Sequence, residues 1–107
     1  MDTKTEQFKI RVENVLSRER KEITRPDLTR AAVLVPIVIN PDRPHLILTK
    51  RTMTVATHKG QISFPGGMRE PEDKDEIDNA LRETREEIGL HADRITVVGL
   101  FDDFITT

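Results

Sequence analysis

The chain contains no cysteine. It therefore forms no disulfide and offers no thiolate to a metal, a composition that a reducing cytoplasm permits. Long hydrophobic runs are missing too. No stretch approaches the roughly 20 apolar residues of a membrane span, and Met1-Asp2-Thr3-Lys4 has no apolar signal core. Charge of one sign is lacking as well: 17 basic and 19 acidic residues leave a net charge of −2. That balance gives no basic surface for nucleic acid and no polybasic patch for a membrane. No repeat or low-complexity segment occurs, and Ile105-Thr106-Thr107 carries no targeting tripeptide. The expectation is a cytoplasmic chain with neither a nucleic-acid nor a membrane partner. At 107 residues it is at most one domain.

Charged residues make up 34% of the chain, above the usual quarter. They are most concentrated where the pattern is most regular. Asp75 is placed to cap a helix, with Glu76 and Asp78 in its first turn, where negative charge suits the helix dipole. Ile77, Ala80, Leu81, Thr84 and Ile88 recur at helical spacing and make one mostly apolar stripe. Gly89 sits where a glycine ends a helix. On this helix Glu76, Asn79, Glu83, Glu86 and Glu87 share a sector, flanked by Arg82 and Arg85. Carboxylates at i, i+3 and i+4 are neighbours and repel one another. Such a face is either solvated and salt-bridged or a site for a hard cation, which takes oxygen ligands.

Other segments read less sharply. Residues of about 3–20 suggest a packing helix with Phe8, Val12, Val15 and Leu16 on one face. Ala31 to Ile39 is a nearly continuous apolar run and reads as a buried strand, with Pro36 at an edge or bulge. Asn40-Pro41-Asp42-Arg43-Pro44 is a turn by composition, and His45 to Lys50 is a second strand, so the pair reads as a hairpin. Residues 52–60 read as a loop, and Ile62 to Phe64 as a short strand entering a glycine turn. The alternation in Arg94 to Phe101 predicts another strand. This order suits an α+β or α/β sandwich.

Phe64-Pro65-Gly66-Gly67 precedes the acidic helix, and alone it is only a turn. Joined to Arg82-Glu83-Thr84-Arg85-Glu86-Glu87-Ile88-Gly89-Leu90, it resembles the Nudix box, G-x5-E-x7-R-E-U-x-E-E-x-G-U, where U is bulky and apolar. Gly67, Arg82, Glu83, Glu86, Glu87, Gly89 and Leu90 match. Thr84 departs at the first U. The spacer from Gly67 to Arg82 is one residue longer than the general box, so Asp73 or Glu72 stands in for the first Glu.

The longer spacer resembles the branch of the family that hydrolyses coenzyme A. That branch carries an upstream signature, L-L-T-x-R-[SA]-x3-R-x3-G-x3-F-P-G-G. Here Ile47-Leu48-Thr49-Lys50-Arg51-Thr52, Gly60 and Phe64-Pro65-Gly66-Gly67 stand in register, with His58 and Gln61 around the glycine. Ala56 replaces the second Arg, and Thr52 a Ser or Ala. Glu70-Pro71-Glu72-Asp73 resembles the acidic stretch that follows the glycines in that branch.

The resemblance implies a Nudix fold: an α/β/α sandwich with a mixed sheet and a loop-helix-loop box. Residues 1–22 would form an N-terminal helical segment and 31–107 the sheet and box of one domain, truncated at its C-terminus. It further implies a Mg2+- or Mn2+-dependent hydrolase of a nucleoside diphosphate-containing small molecule. Coenzyme A would be split into 3′,5′-ADP and 4′-phosphopantetheine. Glu83, Glu87 and Glu86 would hold the metal with the Gly66 carbonyl, and Arg82 would hold Glu83 in place. Arg82, Glu83 and Glu86 are the catalytic candidates; the general base is not identified. Arg51 contacts substrate phosphate or forms a structural salt bridge. His58, Gly60 and Gln61 are further substrate-side candidates. A homodimer is compatible with this reading. The rivals are an enzyme for ADP-ribose, a dinucleotide or an oxidised NTP, and a non-catalytic Nudix-like binding module.

Overall fold

The computed structural model describes residues 3–50 and 60–106. The chain gathers into two compact units: Met1–Leu28 with Thr96–Thr107, and Thr29–Ile95. Among the described residues no helix is long and apolar enough to cross a membrane.

The first unit holds helix α1, Thr3–Leu16, which has no buried residue. The expected helix to about residue 20 stops short. Ser17 turns its hydroxyl back onto the Asn14 carbonyl at 2.8 Å, and the backbone beyond it is engaged elsewhere. Lys21 N–H donates to Asp102 at 2.9 Å and Ile23 N–H to Asp103 at 3.0 Å. Asp103 N–H returns a bond to the Lys21 carbonyl at 2.9 Å. Arg18 reaches Asp102 at 2.9 Å. The Lys21 amide and the Arg18 guanidinium hold the Asp102 carboxyl below the usual carboxylate range.

The strand expected over Arg94 to Phe101 does not form. A single 3-10 turn, Ala92–Arg94, opens the segment, and residues 95–101 join no ladder. Val97, Leu100 and Phe101 stay exposed. Alternation makes a strand only when a neighbouring backbone supplies the ladder bonds, and among the described residues none does.

Among its described residues the second unit carries six short strands, one α-helix and the 3-10 turn Ala92–Arg94. β1 (Ala31–Val33) pairs antiparallel with β6 (Gly66–Met68), in the register Ala31↔Met68, Ala32↔Gly67, Val33↔Gly66. β2 (Ile37–Ile39) pairs with β3 (Pro44–Leu46), and β4 (Thr49–Lys50) with β5 (Ile62–Ser63). The hairpin around residues 40–44 is therefore present. The long strand expected from Ala31 to Ile39 is not, and of its residues only Pro36 is buried, while Val33, Ile37 and Val38 are exposed. Buried Pro36 divides the run, having no N–H to give a ladder. On either side of the break, Leu34 N–H bonds the Pro65 carbonyl and the Pro36 carbonyl accepts from Ile47.

The elements suit an α+β class. The mixed sheet of an α/β/α sandwich is not seen, since every described ladder is antiparallel and two-stranded. The glycines also differ from the expected turn. Gly66 and Gly67 are strand residues of β6, and neither has positive φ.

Helix α2, Glu76–Ile88, lies on the β1–β6 ladder. Its ends follow local rules. Asp75 is extended and accepts from Asp78 N–H at 2.8 Å. Gly89 takes φ 71°, a left-handed cap that costs glycine little, and its N–H bonds the Arg85 carbonyl. The buried helix residues are small or polar: Asn79, Ala80 and Thr84. Asn79 reaches the Gly67 and Met68 carbonyls of β6, while Gly66 lies close against β1. A Cβ on Gly66 would lie 2.3 Å from the Ala32 carbonyl oxygen and 2.6 Å from Val33 Cα.

Candidate metal centre

The polar interior under α2 is fully bonded. Asn79, 1% exposed, donates to the carbonyls of Gly67 at 3.2 Å and Met68 at 3.4 Å. Thr84, wholly buried, gives its hydroxyl proton to Ala80 one turn back at 2.7 Å. That bond explains how a polar residue occupies a position where the Nudix pattern has an apolar one: the hydroxyl is satisfied within its own helix.

Arg82 is the hub of the site. Its Nε and Nη2 grip Asp73 at 2.9 and 3.0 Å, a two-point arrangement that suits a planar guanidinium. Nη2 also donates to the Met68 carbonyl at 3.0 Å. Nη1 reaches Glu83 at 2.9 Å and Glu86 at 3.1 Å. Asp73, its side chain 3% exposed, accepts in addition from Glu70 N–H at 2.9 Å. Hydrogen bonds from Arg82 and from the Glu70 amide hold the Asp73 carboxyl below the usual carboxylate range. The Arg82 guanidinium is shifted upward, chiefly by Asp73 and then by Glu83. Of the two residues open for the first acidic position of the box, Asp73 makes this contact, while Glu72 is exposed.

Two glutamates lean over the Gly66–Gly67 dipeptide. The Glu83 carboxylate fills the space a side chain at Gly67 would need, with its atoms 2.6 to 2.9 Å from where a Cβ would stand. One turn on, Glu87 accepts from Gly66 N–H at 3.2 Å and from the Thr49 hydroxyl at 3.0 Å. The ladder directs Gly66 towards this side. Bonds at Leu34–Pro65 and Arg30–Arg69 alternate along the antiparallel pair, leaving Gly66 N–H and C=O facing away from β1. The Glu86 side chain is 59% exposed, against 21% for Glu83.

Among the described residues no three or more histidine, aspartate or glutamate side chains stand close enough together to hold a metal ion as they are placed. The donors nevertheless fit a hard divalent cation in kind. Three carboxylates and a strand-edge carbonyl are all oxygen ligands, and two of the carboxylates, Glu83 and Glu87, stand against Gly67 and Gly66.

The remaining candidates divide. Gly60 has φ 77° and Gln61 is exposed, just before β5. Arg51 and His58 lie outside the described residues, as does Ala56. Sequence reasoning gave no role to Asn79 beyond its helix sector and none to Thr49 beyond its place in the signature. Asn79 had one usable signal, its position one turn before Glu83 on the same face.

The NUDIX domain family matches residues 28–107, three quarters of the chain. The chain belongs to the Nudix family. Members of this family generally need a divalent metal ion such as Mg2+ or Mn2+. An uncharacterized Nudix hydrolase, NudL, from Photorhabdus laumondii is 46% identical over 69 residues, which cover 64% of this chain and 36% of that protein. The NudL proteins of Yersinia enterocolitica and Yersinia pestis are each 46% identical, over 69 and 70 residues. These matches cover 64% and 65% of this chain and 35% of either relative. The matched part thus spans about a third of the length of these curated Nudix relatives.

Proposed function

We propose that this Nudix chain carries a metal-dependent pyrophosphohydrolase centre that cleaves the diphosphate of coenzyme A or its derivatives. Water adds to one phosphorus and the bridging oxygen leaves on the other phosphate, giving 3′,5′-ADP and 4′-phosphopantetheine. The observation that carries the reading is the placement of Glu83 and Glu87 over Gly66–Gly67, with Arg82 tying Glu83 and Glu86 to Asp73.

Glu83, Glu87 and Glu86 would hold Mg2+ or Mn2+, with the Gly66 carbonyl as a backbone ligand. Such a cation, when bound, offsets the diphosphate charge, orients the phosphates and lowers the pKa of a coordinated water. The protein's part is positioning. Arg82 keeps Glu83 and Glu86 at fixed places on the helix. Gly67, lacking a side chain, lets Glu83 lie against the strand. Asp73 holds the guanidinium itself.

Coenzyme A as substrate rests on the signature from Ile47 to Gly67. Arg51 is the proposed contact for a substrate phosphate, with His58, Gly60 and Gln61 beside it in that signature. Ala56, where the signature has a second Arg, favours keeping other nucleoside diphosphate derivatives in the comparison. The test is product analysis with Mg2+ or Mn2+ on coenzyme A, ADP-ribose, a dinucleotide and an oxidised NTP. Release of 3′,5′-ADP with the highest kcat/KM for coenzyme A is the expected result. Faster turnover of another compound overturns the substrate assignment. Metal binding without turnover of any of them makes the chain a binding module. Arg51→Ala should raise KM for coenzyme A more than for a diphosphate lacking the 3′-phosphate.

A further inference from the structure

Thr49 stands outside the Nudix box, on β4, 38 residues before Glu87. Its hydroxyl oxygen lies 3.0 Å from Glu87 Oε1 and 3.1 Å from the Ser63 carbonyl oxygen. Both neighbours are acceptors, and a threonine hydroxyl has one proton to give. The hydroxyl therefore serves either the glutamate or the β5 backbone at any moment. The other carboxylate oxygen, Oε2, takes Gly66 N–H at 3.2 Å. Glu87 is thus held at two points, by a side chain on one ladder and a backbone amide on another.

Glu87 belongs to the last turn of α2 and is an exposed residue. A long exposed side chain there samples many rotamers, and fixing it costs side-chain entropy. The Thr49 contact offsets that cost before any ligand arrives. It also holds the carboxylate at Gly66, the residue adjacent in sequence to the Gly67 that Glu83 overlies. A carboxylate keeps further lone pairs when it accepts one hydrogen bond, so the contact with Thr49 leaves Glu87 able to ligate.

We infer that Thr49 is a positioning residue for the metal centre: its hydroxyl pre-orients Glu87 towards the Gly66–Gly67 backbone and raises affinity for a divalent cation. The inference rests on the metal site proposed above and extends it to a residue on a different ladder. Partners that orient ligating side chains are commonly worth 10–100-fold in metal affinity. The alternative is that Thr49 serves only to tie β4 to β5 through Ser63.

The test measures Mn2+ binding directly, by the electron paramagnetic resonance signal of free Mn2+, on the full chain without substrate. Wild type, Thr49→Val, Thr49→Ser and Glu87→Gln are compared, with a thermal midpoint for each. Thr49→Val keeps the shape and removes the hydroxyl, and Thr49→Ser keeps the hydroxyl. The expected result is a Kd for Mn2+ raised about tenfold or more in Thr49→Val and restored in Thr49→Ser. Glu87→Gln should lose more than either. An unchanged or tightened Kd in Thr49→Val, with wild type binding normally, overturns the role of Thr49 and leaves the metal site standing. A lowered midpoint with unchanged Kd assigns Thr49 to the β4–β5 tie alone. Absence of Mn2+ binding in wild type overturns the metal site and this inference together.

Discussion

Asp73 receives Arg82 at two points, Nε at 2.9 Å and Nη2 at 3.0 Å, nine residues apart in the chain. The contact has a pH signature. A carboxyl held below its unfolded pKa adds stability above that unfolded value, and the addition is lost as pH falls through the folded pKa. For Asp73 the loss therefore begins below about pH 4, the ordinary aspartate pKa, since its own pKa is lowered by Arg82. Thermal midpoints of wild type and Asp73→Asn should differ most at neutral pH and draw together in acid. A difference that stays constant from pH 7 to pH 3 would show that the carboxylate charge of Asp73 contributes nothing.

Arg82→Lys keeps the charge and should still fail. A lysine ammonium is a point donor and cannot grip both oxygens of Asp73 while reaching Glu83, Glu86 and the Met68 carbonyl. Mn2+ affinity should fall by about 10–100-fold, measured by the same titration as above. A lysine variant that binds Mn2+ like wild type would reduce Arg82 to a source of charge.

The two adjacent glycines should respond differently to alanine. At Gly66 the new Cβ meets fixed backbone, the Ala32 carbonyl and Val33 Cα, so β1 and β6 must separate. Overpacking of this kind costs about 1–3 kcal/mol or more. At Gly67 the obstacle is the end of the Glu83 side chain, which can swing away. Gly67→Ala should therefore cost less stability than Gly66→Ala, yet weaken Mn2+ binding. Urea unfolding and metal titration of both variants check this; equal stability losses would mean that Glu83 is as fixed as the strand.

Inside α2, two buried polar residues should differ in cost. Asn79 is itself buried and bonds across to the Gly67 and Met68 carbonyls of β6, so Asn79→Ala removes those bonds and should cost about 1–3 kcal/mol. Thr84 bonds only its own helix, where the Ala80 carbonyl keeps its backbone partner. Thr84→Val should stay within about 1 kcal/mol of wild type. Denaturant midpoints decide, and a large loss in Thr84→Val would show that its hydroxyl does more than satisfy itself.

Legibility in the sequence followed the range of the interaction. Helix α2 was readable to the residue at both ends, because Asp75 and Gly89 act on backbone groups three and four residues away. The run from Ala31 to Ile39 looked like one buried strand, since apolar content says nothing about where a partner backbone lies. Pro36 then split it between two ladders. The alternation in Arg94 to Phe101 failed for the same reason, having no neighbour to pair with among the described residues.

What the sequence determined by itself is the acidic helix: its caps, its length, and the common face of Glu83, Glu86 and Glu87, all set within one or two turns. The motif spacing also tied that helix to Gly66 and Gly67, though not to their being strand residues. Tertiary structure alone decided which acid meets Arg82, that Asn79 braces β6, and that Thr49 on a separate ladder touches Glu87. Those contacts join residues 9, 12 and 38 positions apart. They depend on ladder register and on the room that Gly67 leaves for a helix side chain, which neither periodicity nor composition encodes.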